Sequence, residues 1–301
     1  MQRATASWIR HGQSLHLHHG PISLLVQVEG RQSQCEKAYA AAATAFAPLL
    51  ESLVSELPRL RTELKPGSMP PNTPVGRIMY EACIPFLAER VTPMASVAGA
   101  VAQFVLTAIC EAADLKRAWI NNGGDIAFFL TPGSQFDCGV IPNLQSIELE
   151  GVVSLGFDSP CRGIATSGRA TRGQGGRSFS LGIADAVTVI AEQASVADAA
   201  ATLIANHIDL PGHPGVIRQR ANQIEMDTDL GEREVVVKVL PLSFEEVSIA
   251  LDRGVAVAEQ WIDQGYIHSA VLCLAGFKRI LGGSVLLPSI RPDKEELRSV
   301  A

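Results

Sequence analysis

The chain has 301 residues, 47% of them hydrophobic and 19% charged, with a formal net charge of -6 and a pI near 5.7. That apolar content excludes a disordered chain. The acidic balance argues against a general nucleic-acid binder, which needs a basic surface to neutralise phosphate.

The six cysteines are scattered and form no C-x-x-C pair, so reduced core thiols are expected, not a zinc site or a disulfide framework. The opening Met-Gln-Arg-Ala-Thr-Ala-Ser-Trp lacks the apolar run of a secretory leader. The apolar stretches at 40–50 and 94–109 read as too short or too interrupted to span a bilayer. These features predict a cytoplasmic protein with no membrane partner.

In chain order, 5–11, 14–19 and 22–28 are β-prone runs separated by Gly12, Gly20 and Pro21. A helical pattern follows over 32–64, with Pro48 and Pro58 placed to divide it. The run 65–74 carries four prolines and a glycine, and predicts a loop that could move as a lid. Helices are expected at 75–89 and 95–113, the second rich in small residues that favour close packing. Strands are expected at 118–121, 126–130, 138–141, 146–156, 163–166 and 184–191, then a helix at 195–207. A strand at 235–240, a helix at 244–264 and a strand at 269–275 complete the pattern. Long helices inserted between antiparallel runs predict an α+β fold, read as one domain over 1–301 or two closely packed subdomains.

Three segments carry polar groups suited to chemistry. In Asn121-Asn-Gly-Gly-Asp-Ile126, Asn122, Gly123 and Gly124 form a turn whose amides could cradle an anion, with the Asp125 carboxylate at its rim. The same pattern is also the strongest short signal for a plain hairpin. The stretch 165–180 gathers hydroxyls, arginines and glycines: Thr166, Ser167, Gly168, Arg169, Arg177, Ser178 and Ser180. Such groups suit a carboxylate or phosphate, and a flexible hairpin tip fits them equally. In the third segment Asp198 and Thr202 are one helical turn apart and present oxygen, the ligand Mg2+ prefers. Capping is the plainer role for such an aspartate. Asp185 lies among apolar residues and, if buried, needs a partner or acts as an acid or base. His16, His18 and His19 form a cluster in which His16 and His18 share a strand face, an arrangement open to a transition metal and explained equally well by an exposed strand face.

Together, Asn-Gly-Gly-Asp-Ile, Thr-Ser-Gly and Ala-Asp-Ala-x-Ala-Thr resemble the order and spacing of the ApbE superfamily of FAD:protein FMN transferases. The chain is most similar to a largely uncharacterised branch, through Pro93-Met-Ala-Ser-Val-Ala-Gly-Ala-Val-Ala102 and Gly182-Ile-Ala-Asp-Ala-Val187. The resemblance implies an ApbE-like fold with Mg2+ held by Asp198 and Thr202. It also implies a cleft lined by the Gly-Gly-Asp and Thr-Ser-Gly segments; Asp125, Ser167 and, from its own apolar setting, Asp185 are the catalytic candidates. The transferases carry a His-x-x-Asp-Pro segment that is missing here, since 169–196 holds neither histidine nor proline. That departure counts against FAD and points to a smaller anionic or cofactor-derived ligand, with a transferase or hydrolase reaction. The alternatives are flavin transfer itself, a metal-free hydrolase or lyase using Asp185 or Ser167, and a non-catalytic binding or assembly protein. Self-association into a homo-oligomer is compatible with each.

Overall fold

The computed structural model describes residues 3–9, 13–140, 151–169, 179–226, 228, 230–283 and 286–288. Strands β1 (Thr5–Ile9), β2 (Ser14–His19) and β3 (Ile22–Glu29) form a meander. Helices α1 (Gln32–Phe46), α2 (Leu49–Ser55), α3 (Leu57–Leu60) and α4 (Pro74–Cys83) follow. Pro48 and Pro58 start α2 and α3, where the missing N–H costs nothing. Two single-turn 3-10 segments, Ile84–Phe86 and Pro93–Ser96, lead into α5 (Val97–Ala112).

Next come β4 (Arg117–Asn122), β5 (Asp125–Leu130), β6 (Gln135–Val140), β7 (Gly151–Gly156), β8 (Gly163–Ser167) and β9 (Ala186–Ala191). The helix α6 (Ala194–His207) crosses to β10 (Val216–Arg220), the short α7 (Ala221–Ile224) and β11 (Glu234–Val239). The last elements are α8 (Phe244–Asp263), β12 (Ser269–Leu274), β13 (Phe277–Gly282) and β14 (Leu286–Pro288).

Nine strands form one antiparallel sheet in the order β1-β2-β3-β4-β5-β8-β9-β12-β13. Alternation along β5 decides its two faces. Ile126, Phe128 and Leu130 join Phe136, Val153 and Leu155 of the small β14-β7-β6 sheet in one core. Ala127 faces the other way, into the core shared with α1 and α5. A further core gathers β9 and β12 with α6 and α8. The α+β expectation therefore holds. Ten of the 14 residues of α6 are buried, the mark of a helix enclosed on nearly all sides.

Two expectations are corrected. First, 65–74 is a pinned loop, not a lid. The Glu56 carboxylate accepts hydrogen bonds from the amides of Asn72 (2.6 Å) and Thr73 (2.8 Å) and from the Thr73 hydroxyl (2.5 Å). Arg59 and Arg77 donate to the carbonyls of Pro70 and Pro71, and Tyr80 donates to Ser68. The three donors outweigh the cost of burying the carboxylate and hold its pKa below the ordinary value. Glu56→Ala should therefore cost about 2 kcal/mol by orphaning these donors and should open 65–74 to limited proteolysis. Unchanged cleavage and melting would contradict that role.

Second, the stretches Gln32–Ser55 and Pro93–Ala112 are each long and apolar enough to cross a membrane by length and composition alone. In the fold the second lies between α1, α6, β4 and β5, with half of its most apolar window buried. The apolarity serves a core position.

Strands β10 and β13 escaped the sequence because Arg218, Arg220, Lys278 and Arg279 interrupt their apolar character. β13 is an edge strand of the large sheet, where such charges are tolerated and block further pairing. Parts of the expected strands at 5–11, 138–141 and 146–156 lie outside the described residues.

Candidate functional site

The sheet order brings the ends of β4, β5 and β8 beside the N-terminus of α5 and the middle of α6. Asn122 and Asp125 are register partners across the β4–β5 hairpin. The Asn122 amide donates to the Ala98 carbonyl at 3.0 Å, so this pair faces the helices. On α6, Asp198 accepts a hydrogen bond from the Gly99 amide at 2.9 Å, and Thr202 donates to the Ser167 hydroxyl at 3.4 Å. Asp125 accepts from the Thr166 amide at 3.1 Å. Asn122, Asp125, Ser167, Asp198 and Thr202 thus meet on one side of the sheet, although they are far apart in sequence.

The role of Asp198 as a cap takes an unexpected form. It is the fifth residue of its own helix, so it does not cap α6. It caps α5 instead, because Ser96, the residue at the N-cap position, turns its hydroxyl toward the carbonyls of Met79 and Pro93. The backbone of α5 can approach this closely only at Gly99. A β-carbon there would lie 2.2 Å from the Ala194 carbonyl oxygen and 2.9 Å from the Asp198 β-carbon. The small-residue stripe read as packing therefore both packs and admits the carboxylate.

Asp125 and Asp198 are each 8% exposed, and among the described residues neither forms an ion pair. Burial is the main cause of the shift in both. It pushes Asp198 to about 7, against the pull of the Gly99 and Ala98 amides. It holds Asp125 well above the ordinary carboxylate range, with the Asp198 charge adding to the effect and the Thr166 amide opposing it. The pair therefore retains a proton at neutral pH unless a cation compensates it. Behind it lies the buried Cys83 thiol, pushed up to about 12 by burial, with the Asp198 charge also raising it. That thiol is an inert packing group.

The donors present around this pair are oxygens, which match a hard divalent cation such as Mg2+. Among the described residues no three His, Cys, Asp or Glu side chains gather as a ligand set. A cation here would be held by two carboxylates with hydroxyl and carbonyl oxygens completing its shell. When bound it would neutralise and orient an anionic ligand.

Several other candidates take different places. Gly123 and Gly124, at φ +67° and +112°, form the two-residue turn of the β4–β5 hairpin, and the Gly124 amide is bound by the Asn121 side chain at 2.8 Å. The hairpin reading therefore accounts for them, and an anion cradle loses one of its donors. Thr166 gives its amide to Asp125, but its hydroxyl meets that of Thr188 at 2.9 Å. Ile164, two residues earlier on β8, packs in the core beneath the small sheet, so alternation turns the Thr166 hydroxyl to that face. Gly168, at φ +127°, lies against the Asp185 carbonyl.

Asp185 is not buried, since its side chain is 39% exposed. It accepts from the Ala275 amide at 2.6 Å in the β12–β13 turn and lies 4.0 Å from Arg169, a structural engagement. Ser180 donates to the Gly182 carbonyl at 2.8 Å while its own carbonyl binds β11, so it joins the ribbon and not the acid pair. Arg177 and Ser178 lie outside the described residues.

His16 and His18 do share a face, with ring centroids 6.1 Å apart, and His16 pairs with the Ser23 hydroxyl at 2.9 Å. His19 points the opposite way, buried 3.5 Å from Glu51. A cleft of about 540 Å³ on the β10–β11 ribbon includes Asp209, His213 and Arg218. Two of its charged groups already have partners, since Arg218 binds Asp209 and the Leu181 carbonyl and His213 binds Glu246.

Sequence reasoning missed the amides of Ala98 and Gly99 and the side chains of Gln103 and Thr188. Backbone donors have no signature in residue type. Gln103, in the middle of a helix, becomes polar-functional only where another helix begins.

The model of the family described as AbpE bacteria matches residues 6–282. A UPF0280 protein of Methanocella arvoryzae is 32% identical over 163 residues, covering 53% of this chain and 61% of its own. A UPF0280 protein of Methanothermobacter thermautotrophicus is 36% identical over 186 residues, covering 60% and 66%. The chain thus spans about three-fifths of the length of the first of these relatives. Among solved structures, the apo form of Pseudomonas stutzeri flavinyl transferase ApbE is similar at 11% identity and TM-score 0.40, covering 93% of this chain and 96% of its own. The ApbE protein of Thermotoga maritima is similar at 15% identity and TM-score 0.37, covering 84% and 77%. Because the family match takes in most of the residues, including all those of the acid-pair site, the chain belongs to the AbpE bacteria family.

Proposed function

We propose that the protein is an enzyme whose Asp125–Asp198 pair holds a divalent cation, Mg2+ by its oxygen donors, beside a small anionic, cofactor-derived ligand. One observation carries this reading: two nearly buried carboxylates from different elements are held together, with no cationic side chain paired to them among the described residues. An arrangement that serves stability alone would neutralise or separate them, since an unpaired buried charge is costly. The Ser167 and Thr202 hydroxyls lie together on the same side and suit the ligand's oxygens. Family membership favours a flavin nucleotide or a fragment of one as that ligand, and the missing His-x-x-Asp-Pro segment favours the fragment.

A second reading has an observation in its favour. Asp198 caps α5, and a capping carboxylate needs no ligand to justify it. Under this reading the protein is a non-catalytic binding or assembly protein. Equilibrium dialysis of FAD and of FMN, with and without Mg2+, separates the two. The enzyme reading predicts Mg2+-dependent retention of at least one nucleotide, with affinity falling more than tenfold in Asp198→Asn. Equal behaviour of both proteins, with no dependence on Mg2+, would leave only the capping role.

A further inference from the structure

Helices α5 and α6 cap each other. Asp198 of α6 receives the Gly99 amide near the start of α5. In return Gln103 of α5 receives both the amide (3.3 Å) and the hydroxyl (2.9 Å) of Ser195, the second residue of α6. Ser195 is wholly buried, so these donors have no water to turn to. The orientation of the Gln103 amide is itself set, because its nitrogen donates to the Gln193 side chain at 3.2 Å and so turns its oxygen toward Ser195. Between the two caps the backbones touch where Gly99 meets the Ala194 carbonyl.

We propose that Gln103 is a positioning residue for the acid pair: by fixing the first turn of α6 on α5 it holds Asp198 against the Gly99 amide and beside Asp125. Asp198 follows Ser195 by three residues, one helical turn, and lies above the same contact. With Gln103 gone, the α6 N-terminus loses its acceptor and the first turn frays toward whatever acceptor water can supply. Asp198 then loses its fixed place at α5. The role of this position in cation binding rests on the proposed function, while the coupling between the two caps does not.

The test uses the intact protein with Gln103→Ala, Gln103→Glu and the milder Gln193→Ala, which frees only the nitrogen partner. In metal-free protein, amide exchange at Gly99 is followed by NMR. Gln103→Ala should speed exchange at Gly99 by about tenfold, although Gln103 does not touch that amide. Gln103→Glu, which keeps an acceptor for Ser195, should bring it back to within about threefold of the parent. If Gln103→Ala fails to fold, Gln193→Ala should still raise the Gly99 rate above the parent. Exchange that rises only at Ser195, or a Gln103→Glu protein as perturbed as the alanine variant, would overturn the proposal. Mg2+ affinity measured by calorimetry should follow the same order, parent and Gln103→Glu above Gln103→Ala. Failure of the parent itself to bind Mg2+ would refute the proposed function while leaving the Gly99 exchange rates to decide the positioning role.

Discussion

Metal-free Asp125→Asn protein is expected to be more stable than the parent at pH 8, by on the order of 2–4 kcal/mol, with the advantage vanishing as the pH falls to about 4. Asparagine keeps the shape of the side chain and its acceptor for the Thr166 amide, but removes the charge. In the parent, Asp198 titrates near 7 in the folded state against an ordinary value of 3.8, and Asp125 is raised as well. Between those limits the folded protein binds protons that the unfolded chain has released. Stability therefore falls as the pH rises through this window, by at most about 4 kcal/mol for a three-unit shift. With one acid gone, and with it the repulsion between the two, the fall is shallower. Denaturant titrations at closely spaced pH values check this. An advantage independent of pH would mean that the pair is not protonated in the folded state.

Gly99→Ala should do the opposite at every pH, costing about 3 kcal/mol or more or preventing folding. The added methyl would lie 2.2 Å from a backbone carbonyl, and a backbone cannot rotate aside as a side chain can. The helices must part, which withdraws Asp198 from the Gly99 amide and Gln103 from Ser195 together. The loss should therefore exceed that of an ordinary alanine substitution in an exposed helix. A melting temperature within one degree of the parent, equivalent to about 0.6 kcal/mol for a chain of this length, would show that the crossing is looser than described.

Much of the frame was legible because pattern and position agree. The alternation of β2 and β3, the prolines that divide the helix after residue 32, and the dense small residues of α5 each have one good structural solution. The site was legible only in part, and for a physical reason. Asp125, Ser167, Asp198 and Thr202 announce themselves by chemistry at suggestive spacing. Strand alternation, however, decides which face a hydroxyl takes, and it sends Thr166 to the far side of the sheet from Ser167. Asp185 sits in an apolar stretch, yet the β12–β13 turn engages it and leaves it partly exposed. The reciprocal caps depend on where two distant helices cross, which no local pattern encodes.

The most direct measurement is isothermal titration of Mg2+ into the metal-free protein at pH 7, in two buffers of different ionisation enthalpy. A cation held by the Asp125–Asp198 pair must displace the proton those acids retain. The expected result is saturable binding with about one proton released per Mg2+, and neither effect in Asp198→Asn. Absence of binding at millimolar Mg2+, or binding that releases no proton and survives Asp198→Asn, would contradict the assignment of the acid pair as a cation site.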